Sequence, residues 1–183
     1  LKFSFNIQAG TGKRDYTEKL VISAFENESG EHIALKLIAY LTFIERRPHI
    51  DEDAGWHFTP DLIARNYQGD ITLWVDCGSV STKKVDTIAT KVRSSIDFFV
   101  FRSTVREMDQ FYKVIKDKIK HLQNVRCMSF DDGFIDGIGA ALDRTNNLEA
   151  YVSDEMITLT ITNSFGKHEA YSSVHSINPV AAN

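Results

Sequence analysis

The sequence predicts an α/β (α+β) fold: a mixed central sheet flanked by helices, with extra antiparallel strands from both chain ends forming a small barrel-like lobe. Three observations carry this. Apolar and polar residues alternate at the start of the chain and again over 70–77, the period of a strand. Over 31–46 and 104–122 apolar residues recur every three or four positions, the period of a helix packed on one side. Through the middle of the chain strands and helices interleave, and strands separated by helices run parallel.

Phe3, Phe5 and Ile7 alternate with polar residues, as do Leu20 and Ile22, on either side of Gly10-Thr-Gly12-Lys-Arg-Asp15. Strands over 3–9 and 16–24 therefore form a hairpin. Asn27-Glu-Ser-Gly30 breaks the pattern. The helix over 31–46 carries Ile33, Leu37, Leu41 and Ile44 at helical spacing, and Ala34, Ile38 and Tyr40 widen the stripe until it is apolar nearly all round. That places it in the core. Glu31 opens it at the positive end of the helix dipole, Pro48 ends it, and His32 and Lys36 flank its buried stripe.

After a loop with Asp51-Glu-Asp53, a strand runs from Pro60-Asp61 to Arg65, and Asn66-Tyr-Gln-Gly69 turns the chain. In the strand over 70–77, Ile71, Leu73, Val75 and Cys77 share one face and Asp70, Thr72, Trp74 and Asp76 the other. Trp74 is assigned to the core, and Cys77 is a buried thiol rather than a nucleophile. Ser79 or Ser81 caps a helix to about residue 95, with Val85, Ile88, Ala89 and Val92 buried. The continuous apolar run over 96–101 is a strand covered on both faces. A helix over 104–122, a strand over 125–130, a short helix over 134–142 and a hairpin of 148–153 with 156–162 follow, and residues beyond 176 read as a tail.

The 183 residues, 43% hydrophobic and 25% charged, suffice for one domain with a full core. No apolar run reaches the roughly 18 residues of a membrane helix. The alternating opening reads as a strand and not a signal peptide. Two cysteines build neither a disulfide framework nor a four-cysteine zinc site, which fits a cytoplasmic protein. A net charge of −4 argues against a strong non-specific grip on nucleic acid, which comes from releasing counterions with Lys and Arg, but leaves room for a local basic groove. Lys113, Lys116 and Lys120 line one side of a helix, with Arg126 beyond: either a phosphate-contacting stripe or, the commoner case, the wet face of an amphipathic helix. Asp131-Asp-Gly-Phe-Ile-Asp136 misses the acid spacing of a calcium loop, and Gly137-Ile-Gly139 lacks the strand and third glycine of a dinucleotide site.

Chemistry concentrates at Pro60-Asp61, Asp76 and the pair Lys83-Lys84. With a turn at 66–69, Arg65 faces Asp70 and Asp61 falls opposite Trp74. Asp61 and Asp76 are then diagonal neighbours on one face, roughly 7–8 Å apart. A one-residue change in the turn puts them on opposite faces. Two converging carboxylates can hold magnesium, or manganese, and a metal-bound water loses its proton readily enough to attack a phosphate. Lys83 or Lys84, in the first turn of the next helix, is placed to offset the developing charge. Glu31 supplies a third carboxylate if its helix packs on this sheet.

The segments Glu31-His-Ile-Ala-Leu-Lys-Leu-Ile38, Pro60-Asp61-Leu62, Gly69-Asp-Ile-Thr-Leu-Trp-Val-Asp-Cys-Gly78, Lys83-Lys84 and Asp143-Arg-Thr145 with Leu148-Glu-Ala150 resemble the YaeQ family in order and spacing. The resemblance implies a variant of the PD-(D/E)xK nuclease fold in a single domain of residues 1–183. Its nuclease-like core would span about 31–130, and terminal strands 1–26 and 146–175 would form the appended lobe. It further implies that Glu31 matches the helix acid, Asp61 the first motif acid and Asp76 the second. The motif lysine is displaced onto the following helix, at Lys83 or Lys84. Asp76 stands where the family has Glu, and Gly78 where ordinary enzymes of that fold carry Lys. Two functions follow as expectations: a magnesium-dependent phosphodiesterase acting on nucleic acid, or a non-catalytic module of the same fold that binds nucleic acid or protein.

Overall fold

The structure, a computed structural model, describes residues 1–177. Chain order runs β1 (Lys2–Gly10), β2 (Asp15–Ser23), α1 (Gly30–Thr42), β3 (His49–Ile50), β4 (Leu62–Arg65), β5 (Ile71–Cys77), α2 (Thr82–Lys91) and β6 (Asp97–Phe101). Then come α3 (Val105–Ile115), β7 (Val125–Phe130), α4 (Phe134–Ala141), β8 (Thr145–Val152), β9 (Met156–Asn163) and β10 (Gly166–Ile177). The strands form one ten-stranded sheet in the order β2-β1-β8-β9-β10-β7-β6-β5-β4-β3.

This architecture corrects the expected one. The terminal strands are not a lobe added to a nuclease-like core; they curl into a near-closed barrel continuous with the central strands. The splice is β10, twelve residues long. Its first part, Gly166–Ser173, pairs antiparallel with β9, and its last part, Val174–Ile177, pairs with β7. The sequence reading carried terminal strands out to 175 but delimited none after the hairpin that ends at 162. On the far side of the barrel β1 pairs in parallel with β8, a long-range contact no local pattern announces. The central β5, β6 and β7 are parallel, as the interleaved helices require. Residues 178–183, most of the expected tail, lie outside the described residues, while Ile177 closes β10.

Helices are shorter than periodicity suggested. Ser29 caps α1 by accepting the His32 amide, and the helix stops at Thr42 in a 3-10 turn, Ile44–Arg46, before Pro48 is reached. α2 ends where buried Val92 turns extended, and α3 ends at Ile115, seven residues early. α1 and α4 meet through glycines: a Cβ on Gly139 would lie 2.8 Å from the Gly30 carbonyl carbon, so only hydrogen fits. That contact fixes where the amino end of α1 sits.

Apolar side chains fill both sheet faces. Leu62, Leu73, Val75 and Cys77 join α1, α4 and the barrel interior. Ile63, Trp74, Phe98 and Val100 join α2 and α3 on the other face. Trp74 is fully buried and stacks on Trp56 at 4.9 Å.

Candidate functional site

The β4–β5 hairpin sets the first distance that matters. A bulge between Ala64 and Arg65 pairs Arg65 with Ile71 and Ile63 with Trp74. Arg65 opposes Ile71 rather than Asp70, and the bulge adds one residue more, so the register over Leu62 and Ile63 shifts by two from the expected one, and a shift of two preserves side-chain parity. Leu62 pairs with Val75, and continuing that register brings Asp61 level with Asp76 instead of diagonal to it.

The side chains of the two acids nevertheless face different partners. Asp76 is fully buried; its Oδ1 lies 2.7 Å from Lys84 Nζ, and its Oδ2 accepts the Trp74 indole N–H at 3.1 Å. Lys84 comes from α2, capped by Ser81, and also donates to the Thr59 carbonyl at 3.0 Å. Burial pushes the Asp76 carboxyl above its ordinary range, against the pull of Lys84. Asp61 lies just before β4, where Cys77 has a partner on β6 but none on β4, and its Oδ2 accepts the Cys77 N–H at 2.6 Å. Its Oδ1 faces α1, 3.3 Å from His32 Nε2 and 3.6 Å from Lys36 Nζ. Burial pushes Asp61 up, but the His32 and Cys77 hydrogen bonds outweigh it and hold the carboxyl below its usual range.

Lys36 is the centre of this network. It is fully buried, with Glu28 Oε1 at 2.7 Å and Asp51 Oδ1 at 2.9 Å. Burial pulls its ammonium down, and the hydrogen bonds to Glu28 and Asp51 reverse the shift, so it stays charged. Burial likewise lowers His32, and the Asp61 hydrogen bond raises it past its ordinary value. Buried charges persist in proteins only when paired and hydrogen-bonded in this way. Sequence reading placed Lys36 at the edge of the buried stripe; it lies inside it. Apolar neighbours all round the helix were the signal, since a lysine there has no route to water.

Glu31 stands apart from both acids, accepting a hydrogen bond from the Ser103 hydroxyl. Lys83 is exposed on α2. Of the expected site residues, the structure thus brings together Asp76 and Lys84. It gives Asp61 to His32 and Lys36, and Glu31 to Ser103. Among the described residues no group of three or more His, Cys, Asp or Glu side chains is arranged to hold a metal ion. Cys77 and Cys127 are buried free thiols, and burial pushes Cys127 up to about 12.

Beside this network lies a polar cavity of about 350 Å3 at the carboxyl ends of β5 and β6. Crevices at that edge of a parallel sheet are the usual ligand sites of α/β proteins. Its walls include Glu31 and His32 from the start of α1, Gly78 after β5, and Arg102, Ser103 and Glu107 between β6 and α3. Arg102, which follows the buried end of β6, was missed by sequence reasoning.

Comparison with known proteins gives consistent results. The model of a family described as "YaeQ protein" matches residues 2–169. The proteins called "Uncharacterized protein YaeQ" in Salmonella typhi and in Escherichia coli K12 are each 22% identical over 141 residues, covering 77% of this chain and 76% of theirs. The crystal structure of the YaeQ protein from Xanthomonas axonopodis pv. citri superposes with a TM-score of 0.75 at 18% identity, over 95% of this chain and 97% of that one. The one from Pseudomonas syringae gives 0.68 at 15% identity, over 93% and 92%. The shared architecture is a near-closed β-barrel plus helices, and not the PD-(D/E)xK nuclease-like core expected from the resemblance. No helix of the described residues is long and apolar enough to cross a membrane.

Proposed function

The chain belongs to the YaeQ family, and from that premise we propose that it is a non-catalytic nucleic-acid-binding module whose ligand enters the cavity at the carboxyl ends of β5 and β6. One observation carries this. All four carboxylate oxygens of Asp61 and Asp76 already face an ammonium, an imidazole or an N–H donor. Magnesium takes open oxygen ligands and keeps several waters. In this arrangement the two acids suit internal ion pairs better than a metal seat, because Lys84 stands against the fully buried Asp76. The cavity beside them offers charge and hydrogen bonds in a space that suits a terminal group of a strand. With a net charge of −4 the protein is ill suited to tracking a long polyanion.

One observation favours a second function, magnesium- or manganese-dependent phosphodiester hydrolysis. Asp61 lies level with Asp76 across the hairpin, and Lys84 touches Asp76 at 2.7 Å. Asp61 and Asp76 would hold the ion, Lys84 or Lys83 would offset charge and Glu31 would assist, all of which requires the Lys84–Asp76 pair to open. A panel of labelled DNA and RNA strands, with and without magnesium or manganese, separates the two. A binding module retards strands without cutting them. Metal-dependent cleavage that disappears in Asp61→Ala replaces the module with the hydrolase.

A further inference from the structure

Charge is unevenly placed along the chain. Residues 82–122 hold ten Lys and Arg against five Asp and Glu, a net charge of +5, while the whole chain carries −4, so the remainder carries −9. That segment spans α2, β6, α3 and the turns after α3, and both helices pack on one face of the central sheet. An acidic protein thus has one basic layer. Part of its charge is spent inside the fold: Lys84 Nζ meets Asp76 at 2.7 Å, Arg102 Nη1 donates to the Gly78 carbonyl at 3.1 Å, and Lys91 lies 5.2 Å from the Trp56 ring centroid.

Lys83, Lys116 and Lys120 are not spent. All three are exposed, and among the described residues the ion pairs made by Lys and Arg of this segment belong to Lys84 and Arg102. The fold brings the three together. Lys116 is the carboxyl cap of α3, and Lys120 lies in the turn that follows. The Lys120 N–H donates to Asp86 Oδ1 of α2 at 3.1 Å, and Lys83 stands one helical turn before Asp86. Asp86, the acid between Lys83 and Lys120, is engaged by that bond. Asp109 and Asp117, four residues before and after Lys113, offset that lysine. Ammonium groups left side by side repel one another, and a polyanion that binds them gains by releasing its counterions. Lys83 is also near the cavity: it lies in the first turn of α2, four residues after Ser79, which lines the cavity wall. A strand with its end in the cavity meets Lys83 first, then Lys120 and Lys116.

We propose that Lys83, Lys116 and Lys120 form the landing for the phosphate backbone of a single strand whose end occupies the cavity. This rests on the binding-module function above and deepens it by placing the strand on α2 and the end of α3 rather than on the barrel. The landing is short and bounded by Asp109 and Asp117, which suits a grip on a few phosphates and not on a long polyanion.

Fluorescence anisotropy of the full chain tests it across a range of salt, with a labelled single DNA strand of about 12 nucleotides, within the usual site size of single-strand binders. The logarithm of the binding constant should fall with the logarithm of salt at a slope of about −2, as three phosphate contacts on a single strand imply. Lys83→Glu with Lys116→Glu and Lys120→Glu should weaken binding by ~10-fold or more at low salt and flatten that slope towards zero. Lys2→Glu with Lys13→Glu and Lys19→Glu changes the net charge by the same amount on exposed barrel positions and should leave binding within about twofold, since charges beyond a Debye length are screened. Melting temperatures like that of the unsubstituted protein show that both variants fold. Equal weakening by the two triple variants, or none by either, would overturn the landing and leave the module standing. A strand that fails to bind the unsubstituted protein even at low salt would overturn the module and the landing together. Polyglutamate of equal charge binding as tightly through the same lysines would put an acidic protein segment in the strand's place.

Discussion

The barrel and the central sheet keep their buried polar groups in opposite ways. In the barrel the node is neutral: fully buried Asn146 accepts the Asp143 N–H at 2.9 Å and the Asn163 amide at 2.8 Å, and donates to the Asp143 carbonyl at 2.6 Å. At the carboxyl end of the central sheet the node is charged: Lys36 and Lys84 sit among Glu28, Asp51, Asp61 and Asp76. Neutral amide networks hold strands together at any ordinary pH. Ionised networks hold only while every partner keeps its charge, because an uncompensated buried ion is far costlier than an unpaired amide. The molecule thus concentrates its charge at one edge, where helix amino ends and strand carboxyl ends meet beside a cavity.

Removing the central cation should have the largest effect. Lys36→Met strands three carboxylates around a buried site and should cost about 3–5 kcal/mol in denaturant unfolding. A loss under 1 kcal/mol would mean that the network relaxes to water and that the two regions differ less than their contacts suggest. Gly139→Ala comes next. Its methyl meets backbone, not a yielding side chain, so α1 must shift at a cost of about 1–3 kcal/mol. Because α1 carries Glu31, His32 and Lys36, ligand binding should weaken with stability.

Asn146→Ala should cost about 1–3 kcal/mol in the barrel for the bonds it leaves unmade. That loss should be the same at pH 4 and pH 8, a range across which ordinary carboxylates and histidines titrate. A pH-dependent loss would contradict a neutral node.

The smallest effect is the pH dependence of the charged edge. His32 is raised above its ordinary 6.5, so its stabilisation is fully present below 6.5 and is lost as pH rises through the higher folded value. Asp61 is lowered below 3.8, so its stabilisation is present above 3.8 and is lost as pH falls through the folded value. Unfolding curves of His32→Gln should be flatter than those of the unsubstituted protein on the alkaline side, and their acid-side fall should shrink as well, because His32 is the first of the contacts that depress Asp61. An unchanged alkaline slope would detach His32 from Asp61.

What the sequence could disclose follows the reach of its signals. Alternation in Phe3-Ser-Phe-Asn-Ile7 and over Leu73–Cys77 is local and survives into strands with the expected faces, while Ile71, beyond the bulge, packs on the Trp74 side instead; the apolar stripe of α1 is equally local. β10 escaped because its residues obey two partners: Tyr171 and Ser172 answer to β9 while Val174 and Ile177 answer to β7, so no single period runs through it. α3 was read too long because Ile119 and Leu122 keep helical spacing through the turn that follows Ile115. Of the candidate site, Asp76 with Lys84 was legible because a strand end and the next helix start are neighbours. Asp51 beside Lys36, and Arg102 beside the amino end of α1, join residues far apart in order, and nothing local announces such contacts.

A crystal soaked in manganese, read by its anomalous signal, tests most directly whether the charged edge serves the fold or a metal. With Asp61 and Asp76 held in internal ion pairs, no ion should appear on either carboxylate and Lys84 should remain against Asp76. One ion bridging both carboxylates, with Lys84 swung away, would contradict the module and install the hydrolase in its place.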